Sequence, residues 1–162
     1  QTMALLGFTL SPEALAEVMS ALALAGRYQK LRFRNRDIIL DVAHNPAAAH
    51  YLADKLKSER RPCFAVVAIM ADKDVAGFTA ALADTIDHWF IGDLTGSARA
   101  LPARQLSQTL AEQGLAHTLA VSVEDALDQA LRQLPEQGTL VVCGSFFTLA
   151  AIMKYLELGN DL

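Results

Sequence analysis

Asp37-Ile38-Ile39-Leu40-Asp41-Val42-Ala43-His44-Asn45-Pro46 decides the reading of this chain. An apolar run ends in Asp41, His44 and Asn45, and Pro46 stands where a helix begins. Three polar side chains at the carboxyl end of a buried strand contribute little to packing. They suit a ligand, because open α/β sheets bind ligands at that edge. Asp41 can accept from ribose hydroxyls, and His44 can meet a charged substrate. The N-terminus of the following helix favours anions.

Outward from that stretch, strand and helix patterns alternate. Residues 28–41 read as two strands, Tyr28–Arg34 and Asp37–Asp41, joined by a turn around Asn35-Arg36. Helical spacing covers 46–56, with Tyr51, Leu52, Lys55 and Leu56. Phe64–Met70 is a continuous apolar run, as expected of a strand covered on both faces. A helix over Val75–Thr85, a strand at His88–Ile91 and a helix over Pro102–Gln113 closed by Gly114 come next. His117–Val121 predicts a short strand, and Ser122 with Asp125 three residues on predicts the cap of a helix over 123–134. Thr139–Cys143 is the last buried strand, and Thr148–Leu158 the last helix. Upstream, Ser11-Pro12-Glu13 opens a helix with Leu15, Val18, Met19 and Leu22 on one face, ended by Gly26. This alternation predicts a Rossmann-like three-layer α/β sandwich, with a mostly parallel sheet flanked by helices and right-handed connections.

Composition bounds the rest. The chain has 162 residues, 52% apolar and 20% charged, enough for one full core. Its net charge of −4 argues against nucleic acid as a partner and gives no global pull on an anionic substrate. No apolar run reaches the roughly 18 residues of a membrane span, and no secretory signal is visible. Cys63 and Cys143 each lie in a strand-like run and read as lone core thiols, which fits a cytoplasmic location. The first residue is Gln1 and the chain opens mid-pattern, so it reads as a piece of a longer protein.

A parallel sheet delivers every strand's carboxyl end to one edge. That edge collects Asp41 to Asn45, Asp72-Lys73-Asp74, Gly92-Asp93 and Gly144-Ser145. Each candidate has a plainer role: Asp41 as a helix cap, His44 as a satisfied loop residue, Lys73 as a solvated turn, Ser145 as an N-cap. The cap does not exclude anion binding, since the same N–H groups serve both. The chain has no G-x-x-x-x-G-K-[ST], no G-x-G-x-x-G after its first parallel strand, no H-E-x-x-H and no C-x-x-C. A bound nucleotide would therefore not have its phosphates cradled by a P-loop of this chain. His44 and His50 are spaced poorly for a metal, and no metal ligands are expected. Lys30, Arg32, Arg34 and Arg36 are expected to put four charges on one face of a strand pair. A charged edge strand that resists aggregation is the leading explanation, and docking to an acidic surface the other. Phe146-Phe147 is expected in the core.

Four blocks occur in order: Gly26-Arg27, D-V-A-H-N-P at 41–46, M-A-D-K-D at 70–74 and V-C-G-S-F at 142–146. Together they resemble the C-terminal domain of the bacterial bifunctional dihydrofolate synthase/folylpolyglutamate synthases, in the Mur ligase superfamily. The resemblance covers nearly everything from residue 27. It divides the chain into 1–25, the end of a preceding ATPase domain, and 26–162, a glutamate-ligase domain. It implies ATP-dependent amide formation through an acyl phosphate, with ATP, L-glutamate and dihydropteroate or folate as ligands. Mg2+ ligands and the P-loop would sit on the missing N-terminal ATPase domain of the same chain. The isolated domain would then be inactive, and the protein a monomer without membrane or nucleic-acid partners.

By the same resemblance, Arg27, Asp41 and Asn45 face ATP, while His44, Lys73 and Ser145 hold the incoming glutamate, His44 and Lys73 being catalytic. Val42 and Phe147 depart from many relatives, which carry Gly or Phe near the first and His at the second. Two other readings stay open: a Mur-type cell-wall peptide ligase domain, and a non-enzymatic Rossmann-like binding module. The module would not require Asp41, His44, Lys73 and Ser145 to share one edge.

Overall fold

The computed structural model describes residues 26–59 and 61–158. The helix expected after Ser11 lies outside them. The elements are β1 (Gln29–Phe33), β2 (Arg36–Leu40), α1 (Pro46–Leu56), β3 (Cys63–Val67), α2 (Val75–Leu82), β4 (His88–Ile91), α3 (Ala103–Glu112), β5 (His117–Leu119), α4 (Val123–Gln133), β6 (Thr139–Cys143) and α5 (Phe146–Leu158). One sheet runs β1-β2-β6-β3-β4-β5. Among the described residues only β1 is antiparallel to its neighbour, so the Rossmann-like three-layer sandwich holds.

Alternate residues of the central strands feed two cores, as a period of two requires. Ile39, Ala65, Val67, Trp89 and Val141 pack toward α1, α2 and α3. Ile38, Leu40, Val66, Phe90 and Val142 pack toward α4 and α5. α4 shows why it forms: Val123, Ala126, Leu127, Ala130 and Leu131 make one apolar stripe. Ser122 Oγ accepts from Asp125 N–H at 3.2 Å, and the Asp125 carboxylate accepts back from Val121 N–H at 3.1 Å. The reciprocal bonds satisfy one helix-end donor and the N–H of the residue before the cap, in the manner of a capping box.

Strand β3 ends at Val67, three residues before the end of its apolar run. Its neighbours β4 and β6 finish at Ile91 and Cys143, so residues 68–70 have no ladder to join. Met70 instead bridges Ala100 across the sheet edge.

The hairpin corrects one expectation. Arg34 and Asn35 both have positive φ, 46° and 64°, so they form the turn, one residue before the expected position. Phe33 pairs with Arg36 and Arg32 with Asp37. Directly opposed residues share a face, so the turn resets the alternation. Lys30 and Arg32 face the α1 side, whereas Arg36 lies with Phe33 on the other. The four cations do not line up. Lys30 pairs with Glu59 at 2.6 Å and Arg32 with Asp37 at 2.7 Å, which leaves β1 as a charged, paired edge strand.

The topology also fixes where a ligand fits. Helix α1 leaves β2 toward one face, and α5 leaves the neighbouring β6 toward the other. Helix α2 leaves β3, on the far side of β6, toward the first face again. Chains diverging above adjacent strands open a crevice between them. Strand β6 is thus flanked by two crevices.

Candidate active site

The loop after β2 is held from both sides. Val42 N–H donates to Gly26 O at 2.7 Å, Asp41 N–H to Val142 O at 3.0 Å, and Gly144 N–H to Ala43 O at 2.9 Å. Gly144 has φ 109°, and a Cβ there would sit 2.4 Å from the Ala68 carbonyl oxygen. Only glycine lets the β6 end approach residue 68 this closely.

Asp41 does not cap a helix. Its Oδ2 accepts from Tyr28 N–H at 2.9 Å and its Oδ1 from Ala43 N–H at 2.8 Å. The carboxylate is half-buried, fixed in orientation, and keeps further lone pairs for a ligand. The cap of α1 is Asn45, whose Oδ1 accepts from Ala48 N–H at 2.9 Å. His44 Nδ1 lies 2.7 Å from the Val42 carbonyl oxygen.

Two clefts open where the topology requires. The larger, about 440 Å³, is lined by Arg27, Asp41, His44 and Asn45 among others. The smaller, about 250 Å³, is lined by His44, Lys73 and Ser145, with Met70, Arg99 and Gly144. The expected nucleotide-side and glutamate-side residues therefore separate into different clefts. His44 and Phe146 line both and form the shared wall.

Sequence reading missed several lining residues. Phe146 and Phe147 are 60% and 57% exposed, not core. Helix α5 starts at Phe146, two residues earlier than expected, and its first turn buries Thr148 and Leu149 while leaving Phe146 and Phe147 outside. Arg99 joins through the loop that Met70 pairs with, and its guanidinium lies 3.7 Å from Asp72. A lone Arg in an irregular loop carries no sequence signal of this. Tyr28, Tyr51 and Lys55 complete the larger cleft.

Ser145 and Lys73 are more committed than the sequence suggested. Ser145 is buried, and its Oγ accepts from Thr148 N–H at 3.0 Å. Thr148 Oγ1 donates to Ala68 O at 2.7 Å, so the Ser145 hydroxyl must donate to Thr148 Oγ1, also at 2.7 Å. Ser145 thus caps α5, with its hydroxyl both donating and accepting within that first turn. Lys73 pairs with Asp72 at 3.0 Å. The Lys73 hydrogen bond and charge, with Arg99 behind, hold the Asp72 carboxyl below its ordinary range. Asp93 is structural: its Oδ1 accepts from Ala103 N–H at 2.7 Å, capping α3 from the far end of the loop that leads into it.

Among the described residues, no group of three or more His, Cys, Asp or Glu could hold a metal ion. No helix there is long and apolar enough to cross a membrane.

Residues 26–146 match the family model described as Mur ligase, glutamate ligase domain. The chain belongs to that family. This glutamate ligase domain is 35% identical over 153 residues to the Escherichia coli dihydrofolate synthase/folylpolyglutamate synthase, covering 93% of the chain and 35% of the relative. Among solved structures, Mycobacterium tuberculosis folylpolyglutamate synthase complexed with ADP superposes with a TM-score of 0.84 at 28% identity, covering 95% of this chain and 37% of that one. A bifunctional folylpolyglutamate synthase/dihydrofolate synthase with Mn, AMPPNP and L-glutamate bound gives 0.81 at 37% identity, covering 93% and 36%. The domain thus spans about a third of the length of the relatives it matches.

Proposed function

We propose that this domain works with an N-terminal ATPase domain in an ATP-dependent ligase that adds L-glutamate to dihydropteroate or folates, in the cytoplasm. The observation that carries the reading is the shared wall: His44 and Phe146 separate a cleft lined by Arg27, Asp41 and Asn45 from one lined by Lys73, Arg99 and Ser145. Ligation needs the phosphoryl donor and the incoming amine to meet at one point, and this wall supplies it. The relatives described above are folate enzymes, which favours this branch over cell-wall ligation.

In this reading the pterin carboxylate attacks the terminal phosphorus of ATP, ADP leaves, and an acyl phosphate forms. The glutamate amine attacks the acyl carbon, the C–O bond to phosphate breaks, and phosphate departs. Asp41 receives the ribose hydroxyls and Arg27 reaches the nucleotide from the domain boundary. Asn45 holds the loop by capping α1. Lys73 and Arg99 take the glutamate carboxylates, as charge-assisted contacts in a closing cleft. Ser145 and the first N–H groups of α5 favour an anion beside them. His44 orients the amine and accepts its proton on Nε2, because Nδ1 donates to Val42 O. Closure excludes water that would hydrolyse the acyl phosphate. We place the Mg2+ ligands on the companion domain, together with the P-loop.

The test is ligation by the two-domain protein with ATP, dihydropteroate and L-glutamate, beside Asp41→Ala and His44→Ala. Loss of ligation in folded variants supports the reading. Full activity in both removes the site assignment.

A further inference from the structure

The larger cleft extends well beyond the residues assigned to ribose and phosphate. Ala48, Tyr51 and Lys55 line it at helical spacing along α1. Tyr51 and Lys55 lie about 9 and 15 Å along the helix from Asn45, at 1.5 Å per residue. Tyr51 is 64% exposed. The Lys55 ammonium sits 5.1 Å from the ring centroid of Tyr51 and 5.1 Å from that of Tyr28. Among the described residues no carboxylate pairs with Lys55. Tyr28 is pinned beneath, its hydroxyl donating to Glu59 Oε1 at 2.8 Å.

The reacting end of a nucleotide must lie at the His44–Phe146 wall, because only there do the two clefts meet. Its base must then lie at the opposite end, past Asp41. We infer that Tyr51 and Lys55 form the base-binding wall of the nucleotide cleft, Tyr51 stacking on the nucleobase and Lys55 donating to an acceptor on its edge. The inference rests on the proposed ligase reading for the direction in which the nucleotide lies. An exposed aromatic ring stacks on any base, and the ammonium beside it can donate to the ring nitrogens or carbonyl oxygens that every base presents at its edge. Such a wall contributes to nucleotide affinity and leaves the chemical step untouched.

Calorimetry on the two-domain protein tests this with ATP and, separately, inorganic triphosphate, which has no base. Tyr51→Ala is expected to weaken ATP about tenfold or more and leave triphosphate unchanged. Tyr51→Phe, which keeps the ring, is expected to restore ATP binding. In turnover, Tyr51→Ala raises KM for ATP with kcat and KM for glutamate unmoved. Equal ATP affinity in Tyr51→Ala, or a parallel loss of triphosphate, overturns the inference. If the unsubstituted protein binds ATP but ligates no glutamate, the ligase reading fails alone and the calorimetry still decides this one.

Discussion

The imidazole Nδ1 of His44 lies 2.7 Å from the carbonyl oxygen of Val42. A carbonyl only accepts, so Nδ1 carries the proton and Nε2 is the acceptor of the neutral ring. Val42 is itself fixed by its N–H to Gly26 O. The imidazole is therefore oriented before any ligand arrives.

His44→Ala is expected to lower kcat for glutamate ligation by about a hundredfold. KM for ATP should change little, since the proposed ribose contact is at Asp41. Steady-state kinetics on the two-domain protein check this. A change confined to KM for ATP would move His44 out of the chemistry.

Asp41→Asn tests whether the carboxylate is a scaffold as well as a ligand. The aspartate accepts two backbone N–H groups on different oxygens. An amide can accept only one, and its NH2 would face the other donor. The cost is about 1–3 kcal/mol of stability, read from the urea midpoint, with a raised KM for ATP. An unchanged midpoint would mean that Tyr28 or Ala43 finds another partner.

The first turn of α5 predicts a graded pair. Ser145→Ala removes the cap and is expected to cost about 1 kcal/mol. Thr148→Val leaves the buried Ala68 carbonyl without its hydroxyl donor and is expected to cost about 1–3 kcal/mol. Both are measured by denaturant unfolding of the domain. A larger loss at Ser145 than at Thr148 would contradict the hydrogen-bond directions assigned here.

His88 predicts a pH dependence far from the site. Burial, and then the nearby His117, push its pKa below the ordinary histidine value. It packs between Phe64 and Phe90 and hydrogen-bonds Thr118 Oγ1 at 2.9 Å. The unfolded chain binds this proton more readily than the folded one, so stability rises with pH across the window between the two values. The contribution is complete above the ordinary histidine pKa and is lost as pH falls toward the depressed one. Thermal melts between pH 5 and 8 should show that fall, and His88→Gln should flatten it.

Much of this was legible in the sequence, for reasons particular to each element. Helix α1 and strands β4 and β6 fall where their patterns end, because Pro46, turn residues and short runs of aromatic, aliphatic and β-branched residues mark them. Asp41, His44, Lys73 and Ser145 reach one edge because parallel strands share direction. The division into two clefts was not legible, since it depends on α5 leaving toward the opposite face from α1 and α2. Phe146 and Phe147 misled because an apolar pair beside a buried strand resembles core, and only the early start of α5 exposes it. The charge face at 30–36 misled because Arg34 adopts the positive φ that glycine or asparagine more often supplies. Arg99 has no pattern at all; long-range pairing of Met70 with Ala100 brings it in.

The central claim is that nucleotide and glutamate occupy separate clefts that meet at His44. KM for ATP and for L-glutamate, measured in the two-domain protein for Asp41→Ala and Lys73→Ala side by side, tests it most directly. The account predicts a crossed result: Asp41→Ala raises KM for ATP alone, and Lys73→Ala raises KM for glutamate alone. Both constants moving together in either variant would contradict two clefts with one shared wall.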